Sequence, residues 1–140
     1  MKKQQKVIFI CTGNSSRSQI AEGFLKNLPN NDYHVYSAGS QPSKVHPNAI
    51  AVMKELDIDI SGHTSDSIDS YINMGIDIVI TVCENAKQVC PVFPGELVRL
   101  HWNIEDPFKG WKTNSIQLNN FRKVRDKIKS HVENFIKNRE

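Results

Sequence analysis

The chain has 140 residues, 39% of them hydrophobic and 24% charged, the size and mixture of one soluble globular domain (1–140), which excludes a disordered, collagen-like or membrane-spanning chain. Its longest apolar runs, such as Val7 to Cys11, reach about five residues, where a membrane-crossing helix needs ~20 and a secretory signal a longer apolar core, so no membrane association and a cytoplasmic address are expected. The formal net charge of +3 is local: residues 117–140 carry seven Lys and Arg against three Asp and Glu, while residues 1–116 carry 11 against 12.

Val7-Ile8-Phe9-Ile10 is a continuous apolar run ending at Cys11, the pattern of a central parallel strand covered on both faces. After Gly13 and Asn14-Ser15-Ser16, the residues Ile20, Ala21, Phe24, Leu25 and Leu28 form one helical stripe, stopped by Pro29. Tyr33 to Ala38 reads as a second strand, Pro47 to Leu56 as a helix, and Ser67 to Met74 as a shorter helix. Ile76 to Val82 is a further apolar run leading to Cys83. Glu84 to Val89 has room for about two helical turns before Pro91, and Leu97 to Trp102 reads as a fourth strand. Phe121, Val124, Ile128, Val132, Phe135 and Ile136 recur at three- and four-residue steps, so 117–138 is an amphipathic helix whose basic residues form its wet face. Nothing in that face interleaves aromatic with basic residues, and no nucleic-acid partner is expected. Strands alternating with helices predict an α/β fold, a four-stranded parallel sheet with helices on both faces, whose ligands bind beyond the carboxyl ends of the strands. Cys11, Cys83 and the stretch after Trp102 fall at such ends.

The segment Cys11-Thr12-Gly13-Asn14-Ser15-Ser16-Arg17-Ser18 brackets a loop of small residues between a strand and a helix. A tight loop at a helix start turns successive N–H groups inward, the helix dipole adds positive partial charge, and Arg17 supplies a planar fork, so the backbone of Thr12 to Ser16 with Arg17 suits a tetrahedral oxyanion. The same field favours the thiolate of Cys11 as a nucleophile, and the Ser18 hydroxyl is near enough in sequence to donate to it. On the residues alone, Cys11 is also readable as a small buried strand-end residue.

This loop resembles that of the low-molecular-weight protein tyrosine phosphatases. The resemblance implies Cys11 as nucleophile, Arg17 as anion clamp, and Asp106 of the pair Asp106-Pro107 as the acid that protonates the departing oxygen. With Cys83 and Cys90 included, the chain is more similar to the thioredoxin-coupled arsenate reductases that share this fold. The run from Cys11 to Gly23, Ser37-Ala38-Gly39, Val82-Cys83, Cys90-Pro91 and His101-Trp102 carry the similarity. Ser16 departs from it, standing where many relatives have a fourth, non-essential cysteine. What the resemblance implies is a relay. Thiolate Cys11 attacks arsenate and water leaves; Cys83 attacks Cys11, two electrons pass to arsenic and arsenite departs; Cys90 then attacks Cys83, and the resulting disulfide is reduced by thioredoxin or a similar dithiol. A monomer without a tightly bound cofactor is expected. Asn14, Glu22, Ser37 and Asp66 match positions that coordinate potassium in some arsenate reductases, and all four are oxygen donors suited to a hard ion. The relay carries its own geometric condition: residues 83 and 90 on one helix would lie ~10.5 Å apart, and a disulfide tolerates ~7 Å, so residues 84–90 must be helical when reduced and rearranged when oxidised.

Two other readings stay open. One is a phosphatase acting on phosphomonoesters through Cys11, Arg17 and Asp106, with Phe108 and Trp111 flanking an aryl group; the other is a non-catalytic oxyanion carrier. A zinc site with His101 or His63 lacks the spacing of a closed structural site. His46, His63 and His101 have no role readable from sequence.

Overall fold

The computed structural model describes residues 4–28, 32–84 and 93–139. Strand β1 (Gln5–Cys11) leads to helix α1 (Arg17–Lys26), then β2 (Tyr33–Gly39), α2 (Pro47–Lys54), a 3-10 turn at Ile68–Ser70, β3 (Ile78–Cys83), β4 (Val98–Asn103) and α3 (Ser115–Arg139). The sheet order is β2-β1-β3-β4 and every pairing is parallel. The chain leaves β1 in one direction to make β2 and returns to the other side to make β3, so the topological switch point lies between β1 and β3. Cys11 and Cys83 end those two strands.

The apolar runs of β1 and β3 serve two cores at once, since neighbouring side chains point to opposite faces. Val7, Phe9, Ile78, Ile80 and Val82 join the cluster that holds Ile20, Phe24 and Leu25 of α1, Val52 and Met53 of α2, and Phe121, Val124, Ile128, Val132 and Phe135 of α3. Each such fully buried side chain contributes about 1.5–3 kcal/mol. On the other face Ile8, Ile10 and Val79 pack with Ile68 of the 3-10 turn, Ile76 and Phe93. The close approach under α1 depends on Gly23, where a Cβ would meet Ile60 Cγ2 at 2.8 Å and Met53 Cε at 3.0 Å.

The strands and long helices follow the sequence pattern, with β2, β4 and α3 within two residues of the expected ends, and three other differences have a visible cause. Helix α2 stops at Lys54 rather than Leu56 because the chain turns through Asp57 at φ 61°. The helix expected from Ser67 to Met74 contracts to one 3-10 turn, whose only buried residue is Ile68; two turns of α-helix there would have too little apolar surface to bury. β3 starts at Ile78 rather than Ile76, because Asp77 is tied to Lys6 through both Asp77 N–H→Lys6 O (2.9 Å) and Lys6 N–H→Asp77 Oδ2 (2.8 Å). Glu55, just past α2, is gripped by Arg122 and Arg125 of α3, with Arg122 Nη2 and Arg125 Nη1 each 2.7 Å from its carboxylate. Most of the helix expected over Glu84 to Val89, and Cys90 with it, lies outside the described residues. No helix among the described residues is long and apolar enough to cross a membrane.

Candidate functional site

The loop between β1 and α1 is shaped by what its carbonyl groups are made to do. Thr12 O accepts from Gln41 N–H (2.9 Å), Gly13 O from Ser43 N–H (3.2 Å), Ser15 O from His46 N–H (3.0 Å) and Ser16 O from Ile20 N–H (2.9 Å). Asn14 O accepts from Gln19 Nε2 at 3.0 Å, and Gly13 O also from Ser65 Oγ at 3.1 Å. With the carbonyls drawn outward to the 41–46 segment and to α1, the opposite ends of the same peptide units, their N–H groups, face the cavity at the strand end. Asn14 makes the turn possible by adopting φ 46°, a left-handed conformation that asparagine tolerates better than most residues. Gly39 backs the loop so tightly that a Cβ there would lie 2.5 Å from Thr12 O, 2.9 Å from Asn14 N and 3.0 Å from Cys11 O.

Behind the loop runs a directed chain of hydrogen bonds. Asp66 N–H donates to Asn14 Oδ1 at 2.7 Å, which fixes the orientation of that carboxamide. Asn14 Nδ2 then donates to Ser18 Oγ at 2.8 Å and to Ser37 Oγ at 3.0 Å. Because Ser18 Oγ accepts from Asn14, its own proton is left for Cys11 Sγ, 3.0 Å away. Ser37 in turn donates to Glu22 Oε1 at 2.5 Å. All of these side chains are buried, in a setting where such bonds are strong and costly to break.

Arg17, only 3% exposed, closes the site from the helix side. Its Nη1 donates to Ile104 O at 3.0 Å, and its Nη2 lies 3.5 Å from Asp106 Oδ2. Asp106 Oδ1 accepts from Phe108 N–H at 3.0 Å, which fixes the carboxylate at the start of its loop. Cys11, Thr12, Gly13, Ser15, Ser16, Arg17 and Asp106 together line one cavity of about 410 Å³, with Phe108 and Trp111 at its wall. The hydroxyls of Ser15 and Ser16 are buried and have no hydrogen-bond partner among the described residues. Two hydroxyl donors beside inward N–H groups and a guanidinium form a pocket whose donors suit the oxygens of an anion.

The other expected residues are placed as follows. Asn14 is not among the residues lining this cavity; its side chain works behind the loop. Asn14, Glu22, Ser37 and Asp66 do come together, through the hydrogen bonds given above, next to a smaller cavity of about 250 Å³ lined by Glu22, Lys26, His63 and Asp66 among others. The donors suit a hard cation in kind, although Asn14 presents its N–H groups to Ser37 and commits its oxygen to Asp66. Lys26 forms an ion pair with Glu22, and Tyr71 Oη donates to Asp66 Oδ2 at 3.3 Å. Burial and the Asp66 carboxylate push the Tyr71 phenol up to about 12. His63, 3.7 Å from Glu22, is held below the ordinary histidine range by burial. Among the described residues no three His, Cys, Asp or Glu side chains come together to hold a metal, so the zinc reading through His63 or His101 finds no support; His101 instead pairs with Thr81 Oγ1 at 2.7 Å.

Cys11 is a free thiol, 2% exposed. Cys83 is fully buried and disulfide-bonded. The last paired residues of β1 and β3 are Ile10 and Thr81. Continuing that register puts the Cα atoms of Cys11 and Cys83 roughly 6 Å apart, one strand spacing across and one residue along. Their side chains diverge, however: Cys11 follows Val7 and Phe9 toward the helices, and Cys83 follows Val79 and Thr81 to the other face.

The sequence did not single out Gln19, Ser43, Ser65, Asn48 or His46 as loop-holding residues. For most of them no local signal exists, because their partners are 5 to 64 positions away. His46 had one: a polar residue directly before a proline at the first helical position marks a helix cap, and its ring accepts from Asn48 N–H at 3.0 Å.

Residues 6–139 match the family model described as low molecular weight phosphotyrosine protein phosphatase. An arsenate reductase of Staphylococcus xylosus is 47% identical over 133 residues, covering 94% of this chain and 96% of that protein. A solved arsenate reductase in its phosphate-binding state superimposes with a TM-score of 0.79 at 41% identity, covering 96% of this chain and 98% of that one. A thioredoxin-dependent arsenate reductase of Corynebacterium glutamicum gives 0.71 at 27% identity, covering 96% and 61%.

Proposed function

The chain belongs to the low molecular weight phosphotyrosine protein phosphatase family, and within it we propose that this protein reduces arsenate to arsenite through Cys11, Cys83 and Cys90 and is regenerated in the cytoplasm by thioredoxin. The observation that carries the reading is the combination of an anion-shaped loop around a free, Ser18-bonded thiol with a second cysteine ending the adjacent strand. Similarity across nearly the whole chain to the arsenate reductase of S. xylosus supports the substrate, and the C. glutamicum neighbour supports the reductant.

Arsenate enters as a tetrahedral oxyanion whose oxygens meet the inward N–H groups, the Ser15 and Ser16 hydroxyls and the Arg17 fork. An anion that engages Arg17 competes for Nη2 with Asp106, 3.5 Å away, and leaves that carboxyl free to carry a proton to the departing oxygen. The Cys11 thiolate, stabilised by the Ser18 proton, forms an S–As bond as one oxygen leaves as water. Cys83 then attacks Cys11 Sγ: the S–As bond breaks, its electron pair reduces arsenic from the +5 to the +3 state, and arsenite departs from a Cys11–Cys83 disulfide. Because the two side chains face opposite sides of the sheet, this step requires the end of β3 to move. Cys90 exchanges into that disulfide and releases Cys11, and an external dithiol reduces the Cys83–Cys90 bond. A potassium ion belongs to the same proposal: Glu22, Ser37, Asp66 and Asn14 would hold it, and its charge would offset the two carboxylates behind the loop.

The test couples purified protein to thioredoxin, thioredoxin reductase and NADPH and follows NADPH loss on adding arsenate. Arsenate-dependent oxidation that disappears in Cys83→Ser and in Cys90→Ser is expected; arsenate-independent traces, or unchanged turnover in either variant, refute the proposal. A second reading, weak hydrolysis of aryl phosphates, is favoured by one observation: Phe108 and Trp111 wall a cavity much larger than a tetrahedral anion.

A further inference from the structure

His46 is fully buried at the amino end of α2, yet it touches both loops that meet at the cavity. Its backbone N–H holds Ser15 O of the anion loop at 3.0 Å. Its Nδ1 accepts from Asn48 N–H at 3.0 Å, so the ring proton sits on Nε2, which donates to Gly110 O at 2.8 Å. Gly110 takes φ 88° to present that carbonyl. The imidazole face stacks on Trp111 at 4.8 Å and 17°, its edge meets Phe108 at 5.7 Å, and Phe121 of α3 closes the remaining side at 4.7 Å. Asn48 adds a second tie, its Nδ2 donating to Lys112 O at 3.0 Å.

The segment fastened in this way begins at Asp106. Among the described contacts, Asp106 itself has only its own loop, through Phe108 N–H, and the approach of Arg17. Its place relative to Cys11 is therefore set by where the 106–112 loop is anchored: Arg17 holds Ile104 O just before it, Gln117 and Asn48 hold Lys109 O and Lys112 O, and His46 ties Gly110 and Trp111 through its ring and the anion loop through its backbone N–H. We infer that His46 is a positioning residue, which holds the acid-bearing loop in register with the Cys11 loop through its Nε2–H to Gly110 and its stack on Trp111. The inference rests on Asp106 acting as the acid in arsenate reduction. It differs from a plain capping role, which needs only the Nδ1 acceptor.

His46→Asn separates the two roles. Asparagine is among the best residues at a helix cap, so it keeps the acceptor for Asn48 N–H, but it is too short to reach Gly110 O and has no ring to stack. Release of the loop costs about the hundredfold typical of a misplaced catalytic group. H46N is therefore expected to lower kcat/KM for arsenate ten- to hundredfold while changing the inhibition constant of inorganic phosphate less than about threefold. Adding H46N to Asp106→Asn should cost less than about threefold more, since the acid that His46 positions is then already gone. A readout independent of turnover is Trp111 fluorescence in a Trp102→Phe background, where H46N should raise acrylamide quenching at least twofold. His46→Gln, which restores an N–H donor of greater reach, should recover part of both losses, and it carries the same comparison should H46N not fold. The inference is overturned if kcat/KM in the folded variant stays within threefold of the parent, if phosphate affinity falls in step with it, or if Trp111 quenching is unchanged. Failure of the arsenate reading itself looks different: the parent protein then shows no arsenate turnover, whatever His46 carries.

Discussion

Replacing Gly39 by alanine adds one methyl group at the back of the anion loop, and its consequence can be worked from distances. The new Cβ would stand 2.5 Å from Thr12 O, with Asn14 N at 2.9 Å and Cys11 O at 3.0 Å. Ordinary van der Waals contact begins at 3.4 Å, so the Thr12 carbonyl must recede by about 0.9 Å, and no flexible side chain is available to absorb the move. Gly39 cannot retreat instead, because its N–H is bound to Asp66 O at 2.9 Å and its strand pairs with β1 along its whole length. Overpacking of this kind costs about 1–3 kcal/mol, a fall of roughly 3–12 °C in melting temperature for a domain of this size. The catalytic loss should be larger in proportion, since an error near 1 Å in placing reacting groups costs on the order of a hundredfold. Thermal unfolding followed by circular dichroism, together with thioredoxin-coupled arsenate reduction at a temperature where the variant is folded, measures the two effects separately. A G39A protein whose kcat/KM lies within twofold of the parent would refute the claim that this glycine sets the loop's position.

Ser18→Ala removes the proton offered to Cys11 across 3.0 Å and should raise the pH at which Cys11 is alkylated by iodoacetamide by about one unit, the worth of one hydrogen bond to a charged group; an unshifted alkylation profile counts against that role. Asp106→Asn should lower arsenate kcat/KM by about a hundredfold or more with phosphate affinity changed little, as followed by phosphate protection of Cys11 from alkylation. Glu55, held down to about 2 by hydrogen bonds and charge from Arg122 and Arg125, contributes stability above the ordinary carboxylate range that is lost as pH falls from about 4.5 toward 2. Half-exposed as it is, the network is worth about 1 kcal/mol after solvent screening, so urea unfolding of Glu55→Gln should show that deficit at pH 7 and none near pH 2. If potassium binds as proposed, chloride salts of potassium and sodium should separate in a thermal melt, with the potassium gain abolished in Glu22→Gln.

What could be read from the sequence was whatever depends on local pattern. The continuous apolar runs of β1 and β3 announce strands covered on both faces, and the stripe from Phe121 to Phe135 announces α3. The Cys11 to Ser18 spacing, a strand, a tight loop and a helix start, contains the anion site's own ingredients in one stretch. Less was legible where a residue's role comes from distant contacts. Nothing near Gly39 in sequence shows that it lies against Thr12, and nothing near His46 shows Gly110, 64 positions on. The stretch 67–74 reads as a helix because Ile68, Tyr71, Ile72 and Met74 suggest a face to bury, but Ile72 and Met74 are exposed, and only the 3-10 turn Ile68–Ser70 forms. Asn14 is readable in the anion loop by its backbone, but nothing local shows that at φ 46° its side chain turns back to hold Ser18, Ser37 and Asp66.

The pH response of His46 follows from the same contacts. Burial holds the imidazole below the ordinary histidine range, the hydrogen bond to Gly110 O opposes that, the Lys44 ammonium adds to it, and the Asp106 carboxylate opposes it. The proton-free Nδ1 faces Asn48 N–H, so an imidazolium would set one donor against another. A histidine that is neutral in the fold and free to protonate when unfolded stabilises the protein fully above about pH 6.5. That contribution is lost as pH falls through the lower value of the folded state. His63 acts in the same direction for its own reasons: burial holds it down, the Glu22 carboxylate opposes that, and the Lys26 ammonium adds to it. Urea unfolding between pH 7.5 and 5 should therefore show stability decreasing toward acid, with a shallower slope in H46N, which has no group there to protonate. The remaining slope should diminish again in His63→Gln. If H46N and the parent protein lose stability in parallel across that range, the imidazole is not held neutral by its contacts, and the fixed Nε2 proton that ties Gly110 is wrong.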